Sequence, residues 1–154
     1  AAIFASRHSY FATSQRVQAF ISSCERLGIE TDEKYILKGS STRNGGYEIG
    51  KQYAALKEPP KMIFCDSDAI ALGALRAFHE EGISVPGDAE LLSIGMLDPE
   101  AASYYVPSLS VVEMPNKEIG QQVLRLMRKK VLNNDMSSEH VKVHAKLMLR
   151  ESFS

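Results

Sequence analysis

The chain has 154 residues, 44% of them hydrophobic and 24% charged, so it can form one core of ordinary size but neither a large multidomain enzyme nor a disordered tail. Its 18 Lys and Arg nearly balance its 19 Asp and Glu, and the net charge of −1 provides no basic surface for nucleic acid or an anionic membrane. Any contact with DNA is therefore expected from residues outside this chain.

No apolar run approaches the roughly 20 residues of a transmembrane helix, and no signal-type segment opens the sequence. We therefore predict a soluble chain with no membrane partner. The two cysteines, Cys24 and Cys65, lie in a helix-like and a strand-like segment without the short Cys/His spacing of a metal site. We expect buried, reduced thiols, which suit the cytoplasm, and we predict neither a metal nor a cofactor.

The first half of the chain alternates strand-like and helix-like segments. Residues 1–5 are an apolar run that begins without a turn or cap, as a strand cut from a longer protein would. An amphipathic helix closed by Gly28 follows, and its apolar positions recur at helical spacing: Val17, Phe20, Ile21, Cys24 and Leu27. A second strand at 35–37, a loop at 39–46 and a helix that stops before Pro59 repeat the unit.

The next units keep this rhythm. Residues 62–65 predict a third strand, and the polar triplet 66–68 can cap a helix over 69–81 that Gly82 closes. A fourth strand is expected at 91–94. Short, continuously apolar strands that alternate with amphipathic helices indicate an α/β fold, a doubly wound and mostly parallel sheet flanked by helices.

The last part of the chain changes character. A strand at 109–112 and an amphipathic helix over 115–131 are followed by alternation of apolar and polar residues over 141–149, which predicts a strand with one wet face. His140 and His144 fall on or beside this strand, too far apart to share a metal ion, so we interpret them as solvated.

The usual catalytic and cofactor motifs are missing: no G-x-G-x-x-G, G-x-x-x-x-G-K-[ST], G-x-S-x-G or H-E-x-x-H is present. No recognisable set of catalytic residues therefore supports an enzymatic function. The loop 39–46 is either an anion cradle of backbone N–H groups or a plain connection. Because open α/β sheets bind ligands at the carboxyl ends of their strands, the loops at 7–16, 39–46, 66–68 and 96–98 define the expected binding rim.

Several blocks of sequence, in the same order and with similar spacing, resemble the lactose- and galactose-repressor family of bacterial transcription regulators. They are Asp-Ala-Ile-Ala-Leu-Gly-Ala-Leu at 68–75, Gly-Ile-Ser-Val-Pro-Gly-Asp at 82–88, Ile-Gly at 94–95, Tyr-Val-Pro-Ser-Leu-Ser-Val at 105–111 and the segment 115–120. Upstream, Arg-Val-Gln-Ala-Phe at 16–20 is similar to the first helix of the family's C-terminal subdomain. The resemblance covers nearly the whole chain.

This resemblance implies a type I periplasmic-binding-protein-like effector domain, in which two α/β subdomains close around a small molecule behind an N-terminal helix-turn-helix. Residues 1–112 would then form the C-terminal subdomain, and 113–136 a crossover and a helix that packs on a missing N-terminal subdomain. The apolar stripe of that helix is expected to be exposed in this chain. Residues 137–154 would form a returning strand, and the helix-turn-helix would be absent.

The same resemblance implies ligand-binding residues. Arg16 matches an arginine that forks onto ligand hydroxyls or a carboxylate, although a salt bridge at a helix start is the alternative. Ser67 stands where relatives often carry asparagine, and Asp68 is either a ligand contact or only a helix cap. Tyr10, in the polar loop before the first helix, is a further candidate.

Three positions depart from a sugar-binding pattern. Ser41 stands where relatives commonly carry an aromatic ring, and Leu97, followed by Asp98, stands where they carry an acidic or amide residue. A glutamine or similar residue is also replaced near Met114. The effector is therefore expected to be a small molecule that is sugar-like or less polar, with a protein or no effector as alternatives.

Dimers of the family pair side by side through this subdomain. The match places Leu72, Leu75, Tyr104 and Tyr105 at or near that contact, with core packing as the alternative for the two leucines. The sequence thus predicts the effector-sensing and dimerisation part of a cytoplasmic regulator that binds operator DNA through a missing head, of helix-turn-helix or another type. A periplasmic solute-binding protein of an uptake system is the alternative.

Overall fold

The computed structural model describes residues 1–8, 11–95, 100–133 and 137–153. Its elements, in chain order, are β1 (Ala2–Ser6), α1 (Phe11–Arg26), β2 (Ile36–Gly39), α2 (Arg43–Ala54), β3 (Met62–Cys65), α3 (Asp68–Glu81), β4 (Glu90–Gly95), β5 (Ser110–Glu113), α4 (Asn116–Asn133) and β6 (Lys146–Met148), with short 3-10 helices at Glu33–Tyr35 and Ala101–Ser103.

The strands form one six-stranded sheet in the order β2-β1-β3-β4-β5-β6. The first five strands are parallel, whereas β6 runs antiparallel to β5. In the centre of the sheet, Ile3 of β1 is aligned with Ile36 of β2 on one side and with Phe64 of β3 on the other. The predicted α/β class and the mostly parallel sheet are confirmed.

Helices cover both faces of this sheet. On one face, the Phe4 ring meets the edge of Tyr53 from α2 at 5.6 Å and of Phe78 from α3 at 6.3 Å between ring centroids. On the other face, Phe20 of α1 stacks on Phe64 of β3 at 5.4 Å. Because successive residues of a strand point to opposite faces, these contacts place α1 opposite α2 and α3, as a doubly wound sheet requires.

Glycines bring α2 and α3 unusually close together. A Cβ on Gly73 would lie 1.9 Å from the carbonyl oxygen of Arg43, and one on Gly46 would lie 2.1 Å from that of Ile70. No side chain fits at these positions, so the two helices pack backbone against backbone. The sequence prediction of a loop over residues 39–46 is wrong in its second half, because α2 begins at Arg43 and uses its glycines for this contact.

The predicted last strand is also too long. Only Lys146–Met148 pairs with β5, and residues 141–145 form no regular element despite their alternating pattern. Beyond β6, Ser152 holds the sheet together from the buried side. Its Oγ donates to the Leu91 carbonyl at 2.7 Å and accepts from the Ser110 N–H at 2.8 Å, and its carbonyl accepts from the Leu91 N–H at 2.7 Å.

The helix α4 stands apart from the core. None of its residues 116–132 is buried. Its large apolar side chains are instead exposed to solvent: Val123, Leu124, Met127, Val131 and Leu132. Among the helices of the described ranges, none has the length and apolar character needed to cross a membrane.

Candidate functional site

The carboxyl ends of the five parallel strands share one edge of the sheet. The chain leaves β1 toward α1 on one face, and it leaves β2 and β3 toward α2 and α3 on the other. The connections therefore diverge between the ends of β1 and β3, and this topological switch point is where open α/β sheets form a ligand crevice.

The guanidinium of Arg16 lies at this switch point. Its Nη1 donates a 3.0 Å hydrogen bond to the backbone carbonyl of Asp66, directly after β3, and the residue is half-buried. The bond holds the guanidinium at this edge of the sheet, and a planar guanidinium is suited to bidentate recognition of a carboxylate or of vicinal hydroxyls. The structure thus brings Arg16 beside the predicted contacts Ser67 and Asp68.

Asp66 is positioned differently from the sequence prediction. It is 2% exposed, and its carboxylate Oδ2 accepts the backbone N–H of Ser6 at 3.1 Å rather than capping α3. The prediction that all three residues of the 66–68 triplet can cap the helix is wrong for this member. Asp66 instead fixes the end of β1 against the end of β3, the two sides of the crevice.

Ser67 and Asp68 both support the start of α3. Ser67 Oγ accepts the N–H of Ile70 at 3.4 Å as the N-cap, and Asp68 Oδ1 accepts the N–H of Ala69 at 3.0 Å. Ser67 is half-buried and Asp68 is buried. Ser67 is therefore the N-cap, whereas Asp68 is the first residue of the helix, and ligand contact at both stays a prediction.

Four further residues are predicted to bind the ligand, and the structure describes one of them. Ser41 is exposed in the bend after β2, at the same edge of the sheet. Tyr10, Leu97 and Asp98 lie outside the described residues, so their predicted roles stay untested.

Of the predicted dimer residues, Leu72 and Leu75 lie on α3, and Tyr104 and Tyr105 follow the 3-10 helix Ala101–Ser103. Leu72, Leu75 and Tyr105 line one surface groove of about 380 Å³, together with Arg76, His79 and Val106. Val106 is 95% exposed at the rim, and Tyr104, which lies outside the groove, is 75% exposed. Leu75 and Tyr105 also pack against the core cluster, and Leu72 is half-buried, while the dimer contact stays a prediction.

Sequence reasoning missed a second cavity, of about 230 Å³, between α1 and the end of β2. Its lining includes Thr13 and Ser14, which fall within the predicted binding rim at 7–16, and Lys38, which lies outside that rim. The available signal was Lys38 itself, a charged residue inside an otherwise apolar strand.

The described residues offer little for catalysis. Burial raises the pKa of the Cys65 thiol well above its ordinary value, which disfavours the nucleophilic thiolate. In the parts of the chain that the structure describes, no three His, Cys, Asp or Glu residues come together as metal ligands.

Comparison with known proteins places this geometry in a family. Residues 1–153 match the model of the periplasmic binding protein-like domain. The HTH-type transcriptional repressor PurR of Mannheimia succiniciproducens is 30% identical over 138 residues, which are 90% of this chain and 41% of the repressor. The repressor CytR of Escherichia coli K12 is 32% identical over 133 residues, 86% of this chain and 37% of CytR.

Solved structures of transcriptional regulators are also similar to this chain. A LacI family transcription regulator from Clostridium acetobutylicum superposes with a TM-score of 0.90 and 30% identity, covering 97% of this chain and 55% of that one. The regulator CelR in complex with cellobiose superposes with a TM-score of 0.87 over 98% of this chain and 46% of its own, but at 24% identity it shows the fold alone.

The chain therefore spans only about two fifths of the length of the curated repressors that it matches. The match of the family model over nearly every residue confirms the resemblance seen in the sequence. This chain belongs to the periplasmic binding protein-like domain family, and its relatives within that family are LacI-type transcriptional regulators.

Proposed function

We propose that this chain is the effector-sensing and dimerisation part of a cytoplasmic bacterial transcriptional regulator that binds operator DNA through a separate N-terminal head. The relatives described above are transcriptional repressors and regulators rather than uptake proteins, which favours this function over periplasmic solute binding. The two buried free cysteines suit a reducing compartment. We propose no catalysed reaction.

The placement of Arg16 carries the proposal. An arginine fork held at the switch point by the carbonyl of Asp66, at 3.0 Å, is a preorganised contact for a polar small molecule. Ser67, Asp68 and Ser41 follow strands that end at the same edge. They complete the proposed binding residues, together with Tyr10, Leu97 and Asp98, which the sequence alone predicts.

The exposed apolar side of α4 supports the proposed domain organisation. We propose that residues 1–112 are one subdomain, 113–136 a crossover and helix, and 137–154 the returning segment. A stripe that includes Leu124 and Met127, which are 68% and 56% exposed, needs an apolar cover. The first subdomain, which the longer relatives have room to contain, is the cover we propose.

The proposed mechanism is a population shift. An effector that contacts Arg16 from this subdomain and the other subdomain from across the crevice favours the closed arrangement, because it gains differential binding energy only there. Two chains paired through the α3 groove then change their relative orientation and so the spacing of their DNA-binding heads.

Arg16→Ala tests the effector site in the full-length protein. Calorimetric titration with a panel of nucleosides and sugars, cellobiose included, identifies a compound that binds. Arg16→Ala should weaken its binding about tenfold to a hundredfold, as expected for loss of hydrogen bonds to a charged group. Arg26→Ala, an exposed arginine at the other end of α1, is the matched control. Unchanged affinity in Arg16→Ala would remove Arg16 from the site.

A second experiment tests the regulator itself. Selection of bound sequences from a random duplex library by the full-length protein should enrich a two-fold symmetric site, because the operator of a dimer mirrors the symmetry of the protein. If no sequence is enriched, the proposed role in transcription is wrong, whatever the result for Arg16.

A further inference from the structure

We propose that the cavity between α1 and the end of β2 is an accessory anion site that binds a phosphoryl group, distinct from the effector crevice and independent of the role in transcription. The cavity has a volume of about 230 Å³, below the roughly 300–1,000 Å³ of sites for drug-sized ligands, so its occupant is a small group.

Except for Val17, the side chains around this cavity can donate hydrogen bonds. Three of them carry or can carry positive charge, namely Arg7, His8 and Lys38, and others are the hydroxyl and amide groups of Thr13, Ser14 and Gln18. Among the described residues that line the cavity, none is Asp or Glu. Lysine, arginine and hydroxyl groups are the side chains with which proteins usually surround phosphate oxygens.

Two of these groups have no partner within the part of the chain that the structure describes. Thr13 is 9% exposed, yet its hydroxyl makes no hydrogen bond there. The ammonium of Lys38 likewise has neither a hydrogen bond nor an ion pair there. The Thr13 hydroxyl and the ammonium of the exposed Lys38 line the same cavity, and both can donate hydrogen bonds to an acceptor bound there.

Arg7 is only weakly engaged by a carboxylate. Arg7 Nη2 lies 3.9 Å from Oε2 of Glu48, and the two side chains are 57% and 50% exposed. An ion pair of this length and exposure contributes little, so the guanidinium can turn to a doubly charged anion in the cavity.

The fold separates this cavity from the effector crevice. Thr13, Ser14, Val17 and Gln18 share one side of α1, the side that faces Lys38 of β2. Arg16 lies roughly a third of a turn around the helix from them and reaches Asp66 after β3 instead. Both sites border the end of β1, but they use different sides of α1, and the cavity extends to β2 whereas the crevice extends to β3.

The test is calorimetric titration of the full-length protein with inorganic phosphate and with glycerol 3-phosphate, each against chloride at equal ionic strength. We expect both phosphoryl compounds to bind and chloride not to. Tighter binding of glycerol 3-phosphate would identify a phosphate ester as the ligand, whereas equal binding would identify free phosphate.

Variants locate the site. Lys38→Gln and Thr13→Val should each weaken phosphate binding about tenfold, as for loss of a hydrogen bond to a charged group, while Lys38→Arg and Thr13→Ser should retain it. Lys57→Gln is the control, an exposed lysine beyond the far end of α2. Unaltered melting temperatures show that the variants are folded.

Arg16→Ala separates the two sites, and it should leave phosphate binding unchanged. Loss of phosphate binding in Arg16→Ala would place the anion in the effector crevice and overturn the inference. Binding no stronger than that of chloride, or unchanged binding in both Lys38→Gln and Thr13→Val, would overturn it as well.

Discussion

The backbone N–H of Ser6 donates a 3.1 Å hydrogen bond to Oδ2 of Asp66, 60 positions later in the sequence. Asp66→Ala should lower the free energy of unfolding by about 1–3 kcal/mol, because it leaves a buried N–H without an acceptor. Asp66→Asn should lower it less, since the amide oxygen can still accept. Urea denaturation of the three proteins measures this, and equal losses in both variants would contradict the role of the acceptor.

The close contact of α2 and α3 predicts a large effect at Gly73. Gly73→Ala puts a methyl group 1.9 Å from the Arg43 carbonyl oxygen, and the helices must separate to admit it. We expect Gly73→Ala to lower the free energy of unfolding by about 3 kcal/mol or more, which is the upper end of the effect of overpacking a core. Gly120→Ala is the control, because beyond its chain neighbours and the backbone of its own helix no described atom lies within 4 Å of the added Cβ. It should be neutral or stabilising by about 0.5–1 kcal/mol in a chain of residues 1–154. Similar thermal denaturation of the two variants would show that the contact is not tight.

The carboxylate of Glu151 predicts a pH dependence. The backbone N–H of Ser108 and then its hydroxyl donate to Oε2, at 2.8 and 2.9 Å, and lower the pKa of Glu151 below its ordinary value of 4.5. A carboxyl whose pKa is lower in the folded state contributes stability that is complete above its unfolded pKa and is lost as the pH falls through the folded one.

The melting temperature should therefore be lower in Glu151→Gln than in the unaltered chain at pH 7, and the two should converge in acid below the lowered pKa. Glu25→Gln, on the exposed surface of α1, should show no such difference. A gap between Glu151→Gln and the unaltered chain that persists unchanged into acid would mean that the charge of Glu151 is not involved.

The proposed dimer predicts the effect of charge on the outer surface beside α3. Tyr104→Asp and Val106→Asp place a carboxylate on side chains that are 75% and 95% exposed, where it would be buried between two chains. Both variants should sediment as monomers. Leu27→Asp, at an equally exposed apolar position after α1, should sediment like the unaltered protein. An unchanged mass for both Tyr104→Asp and Val106→Asp would exclude this surface as the interface.

The apolar stripe of α4 predicts a difference between short and full-length chains. Leu124→Gln combined with Met127→Gln should leave the melting temperature of residues 1–154 nearly unchanged, because both side chains are exposed there. In the full-length protein the same two substitutions should lower the free energy of unfolding by about 2 kcal/mol or more, because another subdomain would bury these apolar side chains. Equal effects in both chains would contradict the proposed packing of α4.

The sequence identified most elements because their signals are local. The apolar run at Met62–Cys65 and the Ser67 cap followed by a helix with Gly82 at its end were predictable within a few residues. The start of α2 was not, because Gly45 and Gly46 are typical of loops. Gly46 lets α2 pack closely on Ile70 of α3, and Gly45 lets it approach the turn at Ser40.

The same limit applied to the candidate site. Arg16 was identified through the resemblance, but the contact of its guanidinium with the Asp66 carbonyl joins residues 50 positions apart. Nothing in the local pattern distinguishes Asp66 from a helix cap. The alternation over 141–149 predicts one long strand, but only Lys146–Met148 forms a strand, because only these residues pair with β5.

The hydrogen bonds of Ser152 to Leu91 and Ser110 have a consequence for biosynthesis. During translation, β4 and β5 leave the ribosome well before the residue that joins them on the buried side. The polar backbone groups that Ser152 satisfies remain open to solvent or to other strands in the meantime. The nascent chain thus passes through a stage in which one flank of its sheet is incomplete, and this stage ends only when residue 152 is free to fold back.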